Sequence, residues 1–416
     1  MRPHGGFVTA LPATLTLLVA GVASAQRPSA EPKIDSLIAR MTLEEKLGQL
    51  NQLSVDGQPN AEQMALVRKG LVGSFFNLTG AAATHDAQQL AVTESRLHIP
   101  LIFGQDVIHG YRTIFPIPLG EAASWDPEAV RAAAHVAAAE AAAAGLHWTF
   151  APMVDIARDP RWGRIAEGSG EDPYLGSAMA AARVRGFQGT DPRAPDAVLA
   201  TVKHFAAYGG AEGGRDYNSV DLSERTLREV YLPPYHAALD AGAATVMTSF
   251  NEIGGIPSTA SPWLVTTLLR HEWGFRGFVV SDWTSVNELV NHGVAGTRAD
   301  AGRLALEAGV DMDMVSRIYV DDLPALVKAG RIPMAVVNEA VRRVLRGKVM
   351  LGLFEDPYHG ATVEHERAVL LAPEHRQLAR RVAEESIVLL KNDGQLLPLA
   401  ARVHSIAVIG PLADDN

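Results

Sequence analysis

From Gly70 to Met314 the chain repeats one pattern, a short apolar run followed by an amphipathic stretch with helical spacing. The runs are GLVGSFFNL, IPLIFGQD, HWTFAPMVD, AVLATVKHF, ATVMTSFNE, GFVVSDW and AGVDMDM. Between them lie DPEAVRAAAHVAAAEAAAAG, GSAMAAARVRGFQG, SERTLREVYLPPYHAALDAG and SPWLVTTLLRHEWG, rich in Ala, Leu and Glu. Strand–helix alternation sustained over roughly 300 residues demands a parallel sheet covered by helices, because each crossover must return the chain to the same sheet end. Seven or eight such units in one domain favour a closed α/β barrel, (β/α)8 or TIM-like, over an open doubly wound sheet. The first strand has no Gly-rich dinucleotide fingerprint, which further weakens the open-sheet alternative. Upstream, IDSLIARMTLEEKLGQLNQL reads as helix, with Thr42 and Glu45 spaced as a capping box.

Nearly every run ends in polar or ionisable residues: Asp106, Asp155, Lys203 and His204, Asn251 and Glu252, Asp282, Asp313. Helix capping accounts for an isolated Asp or Asn after a strand. It does not account for Lys-His or for Asp-Trp. In a barrel these ends meet on one rim, where active sites are built.

The segments flanking the repeat set the expected domain limits. Residues 1–25 combine one arginine, an apolar core and a small-x-small ASA motif, the pattern of a signal peptide; an uncleaved anchor is the alternative, though the apolar core is short. The barrel is expected over 26–350 and a polar, turn-rich linker over 351–383. LARRVAEESIVLLKNDGQLLPL, from Leu378, reads as a helix followed by an apolar strand, and with a further strand around Ile406 to Gly410 it leads into the start of a second domain over 384–416, cut off at Asn416. With no cysteine, export would require no oxidative folding. A net charge of −10 without a basic run argues against nucleic acid or an anionic membrane surface as partner.

Asp282 is the leading nucleophile candidate. Lys203, Arg164 and strand-end amides could hold it ionised for attack on an acetal carbon, and Trp283 could stack on a sugar face. Glycoside hydrolysis by a retaining route needs a second carboxyl group about 5–5.5 Å away. In DPRWGRIAEGSGEDPYLG, Arg164 can bind a hydroxylated ligand or orient a carboxylate, whereas Glu171 and Asp172 read better as members of a structural ion-pair network. Lys203 as a pyridoxal-phosphate lysine lacks a companion phosphate loop. None of the 14 histidines forms a close ligand pair, so neither metal nor cofactor is expected.

The stretch LLRHEWGFRGFVVSDWTS resembles the active-site signature of glycoside hydrolase family 3. The resemblance runs from Ile34 to Asn416 through FGQDVIHGYRTIFPIPLG, DPRWGRIAEGSGEDPYLG, VKHFAAYGGAEGGRDYN and ESIVLLKNDGQLLPL. It implies a (β/α) barrel followed by an α/β sandwich, and retaining double displacement. It makes Asp282 the nucleophile, with Asp106, Arg164, Lys203 and His204 on the hydroxyls of the terminal sugar and Trp283 lining the subsite. Phe250 stands where relatives often carry tyrosine. The N-acetylglucosaminidase branch carries KHFPGHG where this chain has KHFAAYGGAEGGRDYN, so the resemblance points to glucosidase-type members, whose acid/base glutamate lies in the second domain. That residue is unknown and expected beyond Asn416, with Glu167, Glu171 and Glu252 as internal alternatives.

The expectation is an exported, periplasmic or secreted, exo-acting β-glucosidase without cofactor or metal. Its partner would be a small β-glucoside or oligosaccharide. β-Xylosidase, exo-glucanase and a non-catalytic sugar-binding barrel are the alternatives.

Overall fold

The computed structural model describes residues 31–414; the expected signal peptide falls outside them. The eight main strands are β1 Asn51–Ser54, β2 Ser74–Phe76, β3 Ile102–Gln105, β4 Trp148–Thr149, β5 Leu199–Phe205, β6 Thr245–Thr248, β9 Phe278–Val280 and β10 Asp313–Met314. A small antiparallel hairpin, β7 Glu252–Ile253 and β8 Ile256–Pro257, lies between β6 and β9. The sheet order is β10-β1-β2-β3-β4-β5-β6-β9, every pair parallel. A parallel bridge between Val280 and Met312 brings β9 back to β10 and closes the ring. This is the (β/α)8 barrel that the alternation predicts.

One strand differs from the expectation. The helical pattern read through to Leu53 breaks into helices Glu31–Arg40 and Leu43–Gln49, the second capped by the Thr42–Glu45 box, and β1 follows. β1 is only four residues long and opens with Asn51 and Gln52. Their amides bond within the barrel, Gln52 Nε2 donating to Ser74 Oγ at 2.8 Å. Without an apolar run, nothing local marks it as a strand.

Trp148 fills the barrel from β4. Its indole N–H lies 2.6 Å from Thr201 Oγ1 on β5 and 2.9 Å from Thr245 Oγ1 on β6, and its ring meets Phe278 of β9 edge-on. A side chain that reaches three other strands must point inward. The Ala-rich helix Pro127–Ala143 packs closely on helix Pro173–Gln188, where Gly186 permits the approach: a Cβ there would lie 2.4 Å from the Arg131 carbonyl oxygen.

The stretch expected to be a linker contains two helices, Val363–Val369 and Pro373–Glu385, fastened to the barrel. Glu140, fully buried, accepts from Leu371 N at 2.9 Å, and its carboxylate lies 3.0 Å from His375 Nδ1. It also holds Arg112 N, Thr113 N and Thr113 Oγ1. Val382 is buried against Phe115, Ala129, Ala133 and Val136. Residues 387–414 carry neither helix nor strand, and Ile387, Leu390, Ile406 and Ile409 are exposed. The strand expected around Ile406 does not form, because a strand needs a ladder partner and none of the described residues supplies one. No helix among the described residues is long and apolar enough to cross a membrane.

Candidate active site

The position of Asp282 is set by the seam that closes the barrel. Before it, Ser281 N donates to Met312 O at 2.9 Å and Ser281 Oγ accepts from Met314 N at 2.9 Å. After it, Thr284 N donates to Met314 O at 3.2 Å, with Thr284 in the left-handed region at φ 55°. Pinned on both sides, Asp282 turns into the mouth of the barrel. Its Oδ1 accepts from Trp283 N at 2.7 Å, while Oδ2 is buried without a hydrogen-bond partner and lies 3.6 Å from His204 Nε2. Burial pushes this carboxyl up to about 7, against the pull of Lys203, the Trp283 N–H and Arg164.

Lys203 and His204 are adjacent on β5, yet both serve this cleft. Adjacent residues of a regular strand face opposite sides. Here the register against β6 shifts between Val202 and Phe205, and the strand is already ending. Lys203 Nζ, buried at its base, reaches Asp106 Oδ1 at 2.5 Å at the more exposed rim of β3.

His204 is held from behind by Asp155. Asp155 Oδ2 lies 2.8 Å from His204 Nδ1 and accepts His204 N–H at 2.9 Å; Oδ1 accepts Tyr208 N–H at 3.1 Å and meets the Tyr235 hydroxyl. Burial raises the Asp155 carboxyl to about 6, although Tyr235 and the His204 N–H pull the other way. Burial, with Arg164 and Lys203 nearby, drives His204 well below the ordinary imidazole range. Arg164 Nη2 lies 3.0 Å from His204 Nε2, and the same guanidinium forks onto Glu167 at 2.7 and 3.0 Å while covering the Tyr208 ring. Burial raises Glu167, but Arg164 outweighs it and keeps the carboxyl low.

Two aromatic groups flank the cleft. Trp283, 43% exposed, leans edge-on against Phe76 at 5.6 Å. Phe250 is buried with Met153, Trp162 and Tyr208. Asp106, Arg164, Lys203, His204, Asp282 and Trp283 thus share one cleft, with Phe250 in its wall. The other polar residues singled out in the sequence do different work. Asp313 Oδ2 accepts Ile318 N and Tyr319 N, capping the helix that follows. Asp172 caps helix Pro173–Gln188 through Leu175 N at 2.7 Å, rather than joining an ion-pair network. Glu252 sits on the hairpin and accepts from Ser219 Oγ at 2.5 Å. The site therefore gathers cations and carboxylates around one buried carboxyl oxygen that has no hydrogen-bond partner.

Residues 42–347 match the glycosyl hydrolase family 3 N terminal domain. The chain belongs to glycosyl hydrolase family 3. It is 46% identical over 387 residues to the periplasmic beta-glucosidase of Salmonella typhimurium, covering 92% of this chain and 50% of the relative. It is 34% identical over 411 residues to a putative beta-xylosidase of Formosa agariphila, covering 93% and 54%. A mutant beta-glucosidase of Listeria innocua, solved with laminaribiose, superposes with a TM-score of 0.85 at 43% identity over 89% of this chain and 53% of that one. The family 3 chain described here spans about half the length of these relatives.

Sequence reasoning noted Asp155 only as a strand end and did not single out Tyr235. Asp155 follows an apolar run that ends in a buried strand, which is a usable sign of a carboxylate needing internal partners. Tyr235 lies within a helical stretch on no special motif, and only the packing of helix Pro233–Asp240 against β5 brings it to Asp155.

Proposed function

We propose that this chain is the glycone-binding and nucleophile-bearing part of a retaining, exo-acting β-glucosidase. The observation that carries the reading is the buried, unpartnered Oδ2 of Asp282 beside Lys203, His204 and Arg164. Lys203, Asp106, Arg164 and His204 would bind the hydroxyls of a terminal glucose, and Trp283 would pack on its face. Asp282 would attack the anomeric carbon, forming a glycosyl ester as the leaving-group oxygen takes a proton; water would then release the sugar.

The proton donor is proposed to come from outside the described residues. Within the cleft, Asp106 is paired with Lys203, Glu167 with Arg164, and Asp155 with His204 and Tyr235. Each of these carboxyl groups is already committed to a partner. In the same reading, residues 1–25 direct export to the periplasm or beyond, 26–350 form the catalytic barrel, and residues from 384 onward begin a second, α/β sandwich domain. The periplasmic relative and the apolar N-terminal stretch support export.

A dinitrophenyl 2-deoxy-2-fluoro-β-glucoside tests the reading, because its leaving group needs little acid assistance and the fluorine slows release of the ester. Intact mass and peptide mapping should find a fluoroglucosyl adduct on Asp282. No adduct on chain shown to be folded by circular dichroism would refute the assignment. The xylosidase among the relatives motivates one rival, a β-xylosidase. Faster labelling by the matching fluoroxyloside would favour it.

A further inference from the structure

Tyr217 lies in the loop after β5 and is absent from the site as described so far. Three observations set it apart. It is 55% exposed, whereas Lys203, His204 and Asp282 are buried. Its backbone is left-handed at φ 61°, a region that bulky residues avoid and that tends to persist where surroundings enforce it at functional sites. The enforcing groups are visible: Tyr217 N donates to Asp216 Oδ1, which also accepts Trp162 Nε1–H at 3.0 Å, and Phe250 meets the Tyr217 ring edge-on at 4.9 Å.

The ring also belongs to the cleft. It lies 6.1 Å from Tyr208, whose own ring is 5.2 Å from His204. Burial and the charges of Asp216 and Asp282 push the Tyr217 hydroxyl up, while Arg164 pulls it down, so both cleft groups act on it through space. A pocket that takes a terminal sugar at its buried floor leaves its exposed rim to the group that departs. Tyr217 stands on that rim, backed by Phe250, and Trp283 is a second exposed ring beside Asp282.

We infer that Tyr217 is a specificity-determining residue that walls the leaving-group side of the cleft and favours planar, apolar leaving groups such as aryl aglycones. The inference rests on Asp282 being the nucleophile, so its test separates the two. Two inactivators share the fluoroglucosyl group: the dinitrophenyl glycoside, whose ring would contact Tyr217, and 2-deoxy-2-fluoro-β-glucosyl fluoride, whose leaving group is one atom. Tyr217→Ala should weaken inactivation by the aryl compound about tenfold, mainly through its binding constant, and leave the fluoride compound within about twofold. Tyr217→Phe, which keeps the ring, should resemble the unaltered chain with both.

An equal loss with both compounds would make Tyr217 a structural residue and overturn the inference. So would no loss with either, or a loss in Tyr217→Phe as large as in Tyr217→Ala. Tyr217→Asn, which suits a left-handed backbone, should behave as the alanine variant if removal of the ring, rather than misfolding, is the cause. Failure of both compounds to label unaltered, folded chain would instead overturn the nucleophile assignment, and this inference with it.

Discussion

Arg164 Nη2 lies 3.0 Å from Nε2 of His204. A guanidinium has no acceptor, so His204 must present a lone pair at Nε2 and carry its proton on Nδ1, toward Asp155. One charged donor on one side and one carboxylate on the other therefore fix both the tautomer and the neutrality of a buried imidazole. Arg164, braced between His204 and Glu167, is in turn fixed beside Asp282.

Replacing Asp155 with Asn should break this arrangement. An amide presents an N–H₂ where one of the His204 or Tyr208 donors now points. We expect labelling of Asp282 by the fluoroglucoside to slow on the order of 10²-fold, as reacting groups lose alignment. Ring ¹⁵N shifts of His204 should report loss of the single Nδ1–H tautomer; an unchanged tautomer with unchanged labelling would refute the positioning role.

The labelling rate should rise with pH through about 7, since Asp282 attacks only when ionised and burial raises its carboxyl to about that value. Lys203 opposes the rise, so Lys203→Met should move the midpoint upward by about 1 unit. A pH–rate profile of inactivation measures both. A midpoint near an ordinary carboxyl value would contradict the buried environment.

Stability should carry the same signature with the opposite benefit. The fold holds the Asp282 proton to about 7, against ~3.9 in an unfolded chain, so its stabilising contribution is complete below about pH 4 and lost as pH rises through about 7. Asp282→Asn cannot ionise. It should match the parent near pH 4 and exceed it by on the order of 4 kcal/mol near pH 8, as read by urea unfolding. Equal stability at both pH values would count against the burial penalty.

Lys348 is a second buried ionisable group, far from any role in the cleft chemistry. It is fully buried, its ammonium meets only Gln49 Oε1 at 2.6 Å among the described hydrogen bonds, and burial lowers it from 10.5 to about 7. Its stabilising contribution is present above about pH 10.5 and lost as pH falls through about 7. Lys348→Met should thus be more stable by on the order of 4 kcal/mol near pH 6, with the advantage closing toward pH 10. Denaturation curves at the two pH values check the sign.

Glu140 joins the helices after the barrel to the barrel itself. Glu140→Ala removes the acceptor for Leu371 N and Thr113 N and the partner of His375. We expect a loss of about 3 kcal/mol and faster proteolysis between Val369 and Pro373, with the barrel retained. Cleavage sites unchanged from the parent would show that Val382 packing alone holds those helices.

The barrel was legible because the runs that hold strands β2 to β6, β9 and β10 are mostly apolar and mostly buried, a signal that survives without neighbours. β1 was not, because its polar residues are satisfied by partners across the sheet. Of the helices at 363–385, the one through Leu378 was legible from its spacing, whereas Val363–Val369 was not: it buries no residue and is tied to the barrel by the polar contact of Glu366 with Ala81 N.

For the cleft, the sequence by itself determined the types: an acid beside an indole and a lysine beside a histidine, each at the end of an apolar run, and an arginine in a glycine-rich loop. Those follow from composition and spacing, which are local. Tertiary structure alone decided which strand ends cooperate. Asp282 follows β9 and Asp313 opens β10, yet one has an unpartnered oxygen in the cleft and the other caps a helix. Only tertiary structure brought Tyr235 to Asp155 and Tyr217 to Phe250. A side chain's charge and hydrogen-bonding capacity are written in its identity, but its partner and its solvation are set by residues tens or hundreds of positions away. Protonation, tautomer and reactivity depend on the second pair of properties, so chemistry could be located from the chain but specified only from the fold.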